Sequence, residues 1–232
     1  MAGSDSIELP SGRQFAITWG IVDAFGGMTS AMLRRSRAFV RQSGVPVEVL
    51  TFDVRDDYAA IDATLRADGR LIDGLTTRNL WDDLTERPPH ATLRGTRKHA
   101  LDGFAPLGFD GSRTRSRLGP RGELLQLDRH RSDGTLAISD RRDVAQPGRV
   151  GGRSIVLCDQ DGRPKHGFTS ARAFHRAWLD TVVGEEEAFL LVDSKTAAST
   201  IAGYHNPRVT RIHVLHNSHL AGERRPWDEV KT

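Results

Sequence analysis

The chain of 232 residues is 38% hydrophobic and 27% charged with a net charge of only +3, which excludes a disordered polyelectrolyte. It is long enough to bury one large core or two small ones. A single cysteine, Cys158, excludes an internal disulfide framework, and no run approaches the roughly 20 apolar residues that span a bilayer.

The first ordered signal is the short apolar run Phe15 to Val22, read as a buried strand that ends at Asp23-Ala24-Phe25-Gly26-Gly27. Met28, Met32, Leu33, Ser36, Phe39 and Val40 then recur at helical spacing, with Arg34, Arg35, Arg37 and Arg41 expected in solvent. Gly44 and Pro46 stop that helix. Val47 to Phe52 is the next strand, and Asp56 to Arg66 a second helix with Tyr58, Ile61 and Leu65 on one side. Strand, glycine turn, helix and strand open a doubly wound parallel sheet, with the right-handed crossover such units adopt.

Beyond Pro88-Pro89 the helical period disappears. Glu123 to His130, Leu136 to Ser139 and Ser154 to Asp159 read as strands, with Asp133-Gly134 and Asp161-Gly162 as hairpin turns. Residues 96–168 are therefore expected to form an antiparallel β-meander inserted into an α/β domain made of 1–95 and 169–232. Ser170 can cap a helix that buries Ala171, Phe174, Ala177, Trp178 and Val182 and closes at Gly184. Ala188 to Asp193 is a buried strand, Ser194 to Ile201 a short helix, and Arg211 to Leu215 a last strand leading into His216-Asn217-Ser218-His219. The fold class is thus α/β, a Rossmann-like parallel sheet with an inserted antiparallel meander.

Gly26-Gly27-Met28-Thr29 sits where a parallel strand hands over to a helix. Glycines let backbone approach a ligand and a helix start attracts anions, so a phosphate or diphosphate fits there; a plain tight turn is the competing reading. The dinucleotide fingerprint is not met, because no third glycine follows at the required distance. His216 and His219 follow the last strand; they lack the cysteine or Glu-x-x-His partners of a zinc site, so no metal is expected. His219 is read as donating into a ligand pocket, while a structural role competes for His216. Lys195 could meet a phosphate, with Asp193 read as a helix cap. Cys158 lies within a strand pattern and reads as a small buried apolar group. Basic groups are dispersed and almost all arginine, the lysines being Lys98, Lys165, Lys195 and Lys231. Without an interleaved aromatic–basic stripe, nucleic-acid binding is the weakest reading.

On Gly26 to Arg37 and Val214 to His219, the chain resembles the poly(glycerol-phosphate) alpha-glucosyltransferase and wall-teichoic-acid glycosyltransferase family. The glycosyltransferases of serine-rich adhesins are similar. The glycine turn, arginine-bearing helix, meander and late His-x-x-His occur in the same order over most of the chain. The resemblance implies a GT-B enzyme that transfers a hexose or N-acetylhexosamine with retention from a sugar nucleotide to a polymer or protein hydroxyl. It implies no cofactor beyond that donor substrate. It assigns Gly26 and Gly27 to the donor diphosphate, His219 to the donor sugar, and His216 and Ser218 to the supporting loop. The meander resembles the family's oligomerisation or acceptor-contact domain, so a homo-oligomer is implied.

In that family a basic pair and two glutamates seven residues apart lie in a second, nucleotide-binding domain. Only thirteen residues follow His219, so the chain is expected to be an amino-terminal half, inactive in transfer by itself. A non-catalytic module that binds a phosphate-rich polymer or partners a transferase is the alternative. Met1 to Gln14 shows no apolar run behind a basic cap, so a cytoplasmic location is expected.

Overall fold

The computed structural model describes residues 11–22, 25–87, 93, 101, 104–146 and 149–215. Two five-stranded sheets organise them, one parallel and one antiparallel, in agreement with the expected α/β class and meander. The chain divides into two compact units: residues 1–51, 60–77 and 185–232 form the first, 52–59 and 78–184 the second.

The first unit is built on β1 (Arg13–Ile17), α1 (Gly27–Ser43), β2 (Val47–Thr51), α2 (Tyr58–Ala67) and the start of β3 (Leu75–Asn79). The chain returns to it through β9 (Ala188–Val192), α5 (Lys195–Ile201) and β10 (Val209–His213). Strand order is β10-β9-β1-β2-β3. Pairing of β1 with β2, β1 with β9 and β9 with β10 is parallel. Strands buried on both faces must be apolar throughout, and Phe15, Ala16, Ile17, Val49, Leu50, Leu190 and Val192 are at most 2% exposed.

Helix α1 packs with Thr29, Met32, Leu33, Ser36 and Val40. Thr29 thus takes the place expected of Met28, and Phe39 stands at the edge of the stripe, only partly covered. The helix stops because Gly44 adopts a left-handed φ of 70° and donates its N–H to the Val40 carbonyl. Strand β1 ends at Ile17, earlier than the apolar run suggests; Ile21 is fully buried beyond the strand's end.

The second unit contains α3 (Leu80–Glu86), the meander β4 (Thr114–Leu118), β5 (Leu124–His130), β6 (Leu136–Gln146), β7 (Arg149–Cys158) and β8 (Pro164–Phe168), and α4 (Ala171–Val183). Each strand pairs antiparallel with the next. The hairpin glycines behave as read, with φ of 83° at Gly134 and 76° at Gly162.

Helix α4 begins where the Ser170 hydroxyl accepts from Ala173 N–H and ends at Gly184. Its face carries Phe174 and Trp178, both fully buried, each worth roughly 1.5–3 kcal/mol of transfer free energy. Trp178 meets Phe52 edge-on at 5.5 Å, and Phe174 meets Trp81 at 5.6 Å and Phe168 at 5.5 Å. The indole N–H groups are satisfied, Trp178 by Asp83 at 2.8 Å and Trp81 by the Phe52 carbonyl at 2.9 Å.

This unit also holds a charged core. The Arg129 side chain on β5 is wholly buried; it donates to Asp56 at 2.6 Å, to Thr114 Oγ1 at 3.0 Å, to the Arg55 carbonyl at 3.1 Å and to Asp82. Asp128, also fully buried, accepts from Ser139 Oγ at 2.6 Å and from the Leu107 N–H. A buried ion survives only with such partners.

Candidate functional site

Ligands of open α/β sheets bind outside the carboxyl ends of the strands, and the register of the parallel sheet fixes which residues stand there. Ile17 lies beside Val192, and Val192 beside His213. The next residues continue the alignment, since Asp193 N–H donates to the Ile17 carbonyl at 2.9 Å and Val214 N–H to the Val192 carbonyl at 3.0 Å. Thr18, Asp193 and Val214 therefore line one rim from three adjacent strands.

Asp193 carries no exposed side-chain surface, yet it is not the helix cap expected of it. Ser194 caps α5 by accepting from Ala197 N–H, and Asp193 instead takes a two-pronged ion pair from Arg35 at 2.9 and 2.6 Å. Arg35 is correspondingly two-thirds buried, not solvated as its place outside the apolar stripe suggested. A fork-on-carboxylate pair satisfies both acceptor oxygens at once, which makes a charged group tolerable at this depth. The signal was present in the helix period: Arg35 follows Met32 by three residues and so flanks the buried stripe.

Two further rim groups escaped the sequence reading. Thr18 Oγ1 is buried without a hydrogen-bond partner among the described residues. His213 closes β10, where burial and the nearby Arg211 cation push its imidazole below the ordinary value.

Gly26 and Gly27 lie at the start of α1, which carries the chain from the carboxyl end of β1 to the amino end of β2. The end of the helix is bare: Gly26 provides no side-chain cap and no acidic residue occupies the first turn. Neither glycine has a positive φ, and among the described residues a Cβ placed on either would meet nothing within 4 Å. Among the described residues, backbone strain and packing therefore give no reason for glycine at either position, in contrast to Gly44 or Gly74. What the pair does provide is a helix start with no side-chain cap, at the positive end of a helix dipole.

Lys195 is the first residue of α5 and is exposed. His216, Ser218 and His219 lie outside the described residues. Strand β10 runs parallel to β1, by way of β9, so residues 214 and 215 leave the sheet from the end at which β1 hands over to α1. Among the described residues, no group of three or more His, Cys, Asp or Glu side chains could hold a metal ion. No helix among them is long and apolar enough to cross a membrane.

Solved structures that share the fold include two of TarM. The Staphylococcus aureus TarM G117R mutant, described as a complex with fondaparinux, alpha-GlcNAc-glycerol and UDP, aligns over 88% of this chain and 50% of its own, with TM-score 0.52 and 13% identity. A second TarM structure aligns over 94% of this chain and 53% of its own, with TM-score 0.55 and 13% identity. The fold is shared with TarM. The pneumococcal O-GlcNAc transferase GtfA aligns over 88% of this chain and 48% of its own at TM-score 0.44 and 15% identity, and it adds nothing to that assignment. The chain spans about half the length of these structures. No family model matches it, and no curated protein matches it in sequence.

Proposed function

We propose that the chain is the acceptor-side half of a GT-B glycosyltransferase that moves a hexosyl or N-acetylhexosaminyl group, with retention, from a sugar nucleotide to a polymer or protein hydroxyl. The observation that carries this reading is the bare start of α1. Among the described residues its two glycines answer to no need of the backbone or the packing. Amides free at a helix start can hydrogen-bond a diphosphate and stabilise the charge that grows on it as the glycosidic bond breaks. The fold shared with TarM supports the class of reaction, and TarM is a protein whose structure is described with UDP.

In this reading Gly26 and Gly27 approach the donor diphosphate, and His219 donates to the donor sugar, with His216 and Ser218 ordering its loop. The Arg35–Asp193 pair holds α1 against the end of β9, fixing the direction in which the bare amides point. Lys195, exposed at the start of α5, is available to an acceptor. The parallel sheet, carried within 1–95 and 169–232, forms the acceptor-side domain, although α3 and α4 in those ranges group with the meander's unit; the meander within 96–168 serves as a contact surface for a second copy or for the acceptor. The location is cytoplasmic, where sugar nucleotides are made.

The test is complementation. The chain, produced with a nucleotide-binding half supplied as a continuing or separate polypeptide, is assayed for release of nucleoside diphosphate from a panel of sugar nucleotides. Transfer is expected only with both halves present, with the product anomer matching the donor. Gly27→Val should abolish it while the melting temperature holds. Transfer that persists in Gly27→Val removes the role given to the glycine turn. Absence of transfer with every donor favours the alternative, a non-catalytic module.

A further inference from the structure

In the first unit, α1 and the turn after α2 enclose an open cleft of about 450 Å³ lined by Ser30, Leu33, Arg34, Arg37, Asp68 and Arg70. Three arginines thus line one concavity together with one aspartate. Ser30, Arg34 and Arg37 share a face of α1 because residues three and four apart stack on a helix.

Two of the three arginines are held in place. Arg37 donates Nη1 to the Gly69 carbonyl at 2.6 Å, which ties it to the turn. Arg70 lies over the Phe25 ring at 4.9 Å and has Asp68 at 3.7 Å from its Nε. Each guanidinium has five N–H donors, so these contacts leave most of them unspent. Arg34 is exposed and makes no hydrogen bond or ion pair among the described residues.

Like charges gathered around a hollow raise one another's energy, and an anion placed between them relieves it. Guanidinium forks match tetrahedral oxyanions two oxygens at a time. Prearrangement of two of the forks lowers the entropy lost on binding. We infer that this cleft binds a phosphate or phosphodiester group, with Arg34 closing on it between Arg37 and Arg70. Phe25, under Arg70, immediately precedes Gly26, so the cleft adjoins the glycine turn but uses different residues. The inference stands whether or not the chain takes part in sugar transfer.

Inorganic pyrophosphate and a glycerol-phosphate oligomer are titrated into the full chain by calorimetry, with a neutral glucan as control. Saturable binding of the phosphate compounds alone is expected, weakening as salt rises. Loss of one charge-assisted contact in Arg34→Ala should weaken it roughly tenfold, and Arg34→Ala with Arg37→Ala further, while Arg172→Glu on α4 has no effect. Tighter binding of the oligomer identifies a polymer ligand, and tighter binding of pyrophosphate a small diphosphate; either supports the site. On the unaltered protein, pyrophosphate should shield Arg34 and Arg37 from phenylglyoxal, read by peptide mass. Unsaturable binding, binding unchanged in the double variant, or unshielded arginines would overturn the inference.

Discussion

Arg35 and Asp193, separated by 158 positions in sequence, meet in a two-pronged ion pair that fastens α1 to the carboxyl end of β9. The carboxylate is fully covered and the guanidinium about one-third exposed, so the two ends of the pair respond differently to mutation. Arg35→Ala abandons a buried charge and should destabilise the protein by about 3 kcal/mol. Arg35→Met with Asp193→Leu removes both charges and should recover a large part of that loss. Urea unfolding of the three proteins measures it; equal losses in the single and double variants would contradict a covered, paired carboxylate.

Among the described residues, nothing stands where a Cβ on Gly27 would go. Gly27→Ala is accordingly expected to shift stability by no more than about 0.5 kcal/mol, the range of ordinary surface changes. Gly74 is the internal comparison. Its φ is 82° and a Cβ would come within 2.9 Å of Val40 Cγ1, so Gly74→Ala should cost clearly more. Thermal melts of the two variants side by side test the contrast.

Arg129 is held by two carboxylates, a hydroxyl and a carbonyl, a pattern that follows the planar fork of a guanidinium. Arg129→Lys keeps the charge but cannot reach these partners together, and a loss of about 2 kcal/mol is expected. Arg129→Met should lose more than the lysine variant, since all four hydrogen bonds go with the guanidinium, although Asp82 keeps Arg113 at 3.1 Å. A lysine variant as stable as the parent would show that charge alone suffices.

His175 on α4 is buried beside Phe52 and Phe174, and burial together with the Arg153 cation lowers its pKa to about 4. The unfolded chain, with an ordinary pKa near 6.5, then binds the proton more readily than the folded one. Stability present above the unfolded value is lost as pH falls from about 6.5 to about 4, by up to roughly 3 kcal/mol. His130 and His166 are shifted the same way by burial and add to the slope. His175→Gln should flatten the dependence of the urea midpoint on pH in that window. An unchanged slope would mean that this imidazole is not buried neutral.

Cys158 lies at the end of β7 with no exposed surface, and burial pushes its thiol up to about 12. Thiolate is the reactive form, so the native protein should resist a disulfide reagent at pH 8 and react once unfolded by urea. Rapid labelling of the native chain would place the thiol nearer to solvent than β7 does.

The amino-acid sequence determined the elements whose period is strong and whose ends are chemically marked. The stripe of α1 with its Gly44 stop, the Ser170 cap and Gly184 end of α4, and the Asp-Gly turns of the meander were all legible, because each is set by neighbours along the chain. The segment Leu75 to Glu86 was not. There β3 alternates weakly through Thr76, Thr77 and Arg78, and α3 begins at once on the Asn79 cap with no loop to announce it. Tertiary structure alone decided which charges were to be buried. Arg35 resembles its solvated neighbours until β9 sets Asp193 beside it, and Arg129 is one arginine among many until Asp56 and Asp82 close around it. Such pairings depend on which strands lie next to one another, and local periodicity does not encode that. The candidate site divides in the same way: its glycine turn could be read from residues adjacent in sequence, whereas the ion pair behind it required the order of the strands.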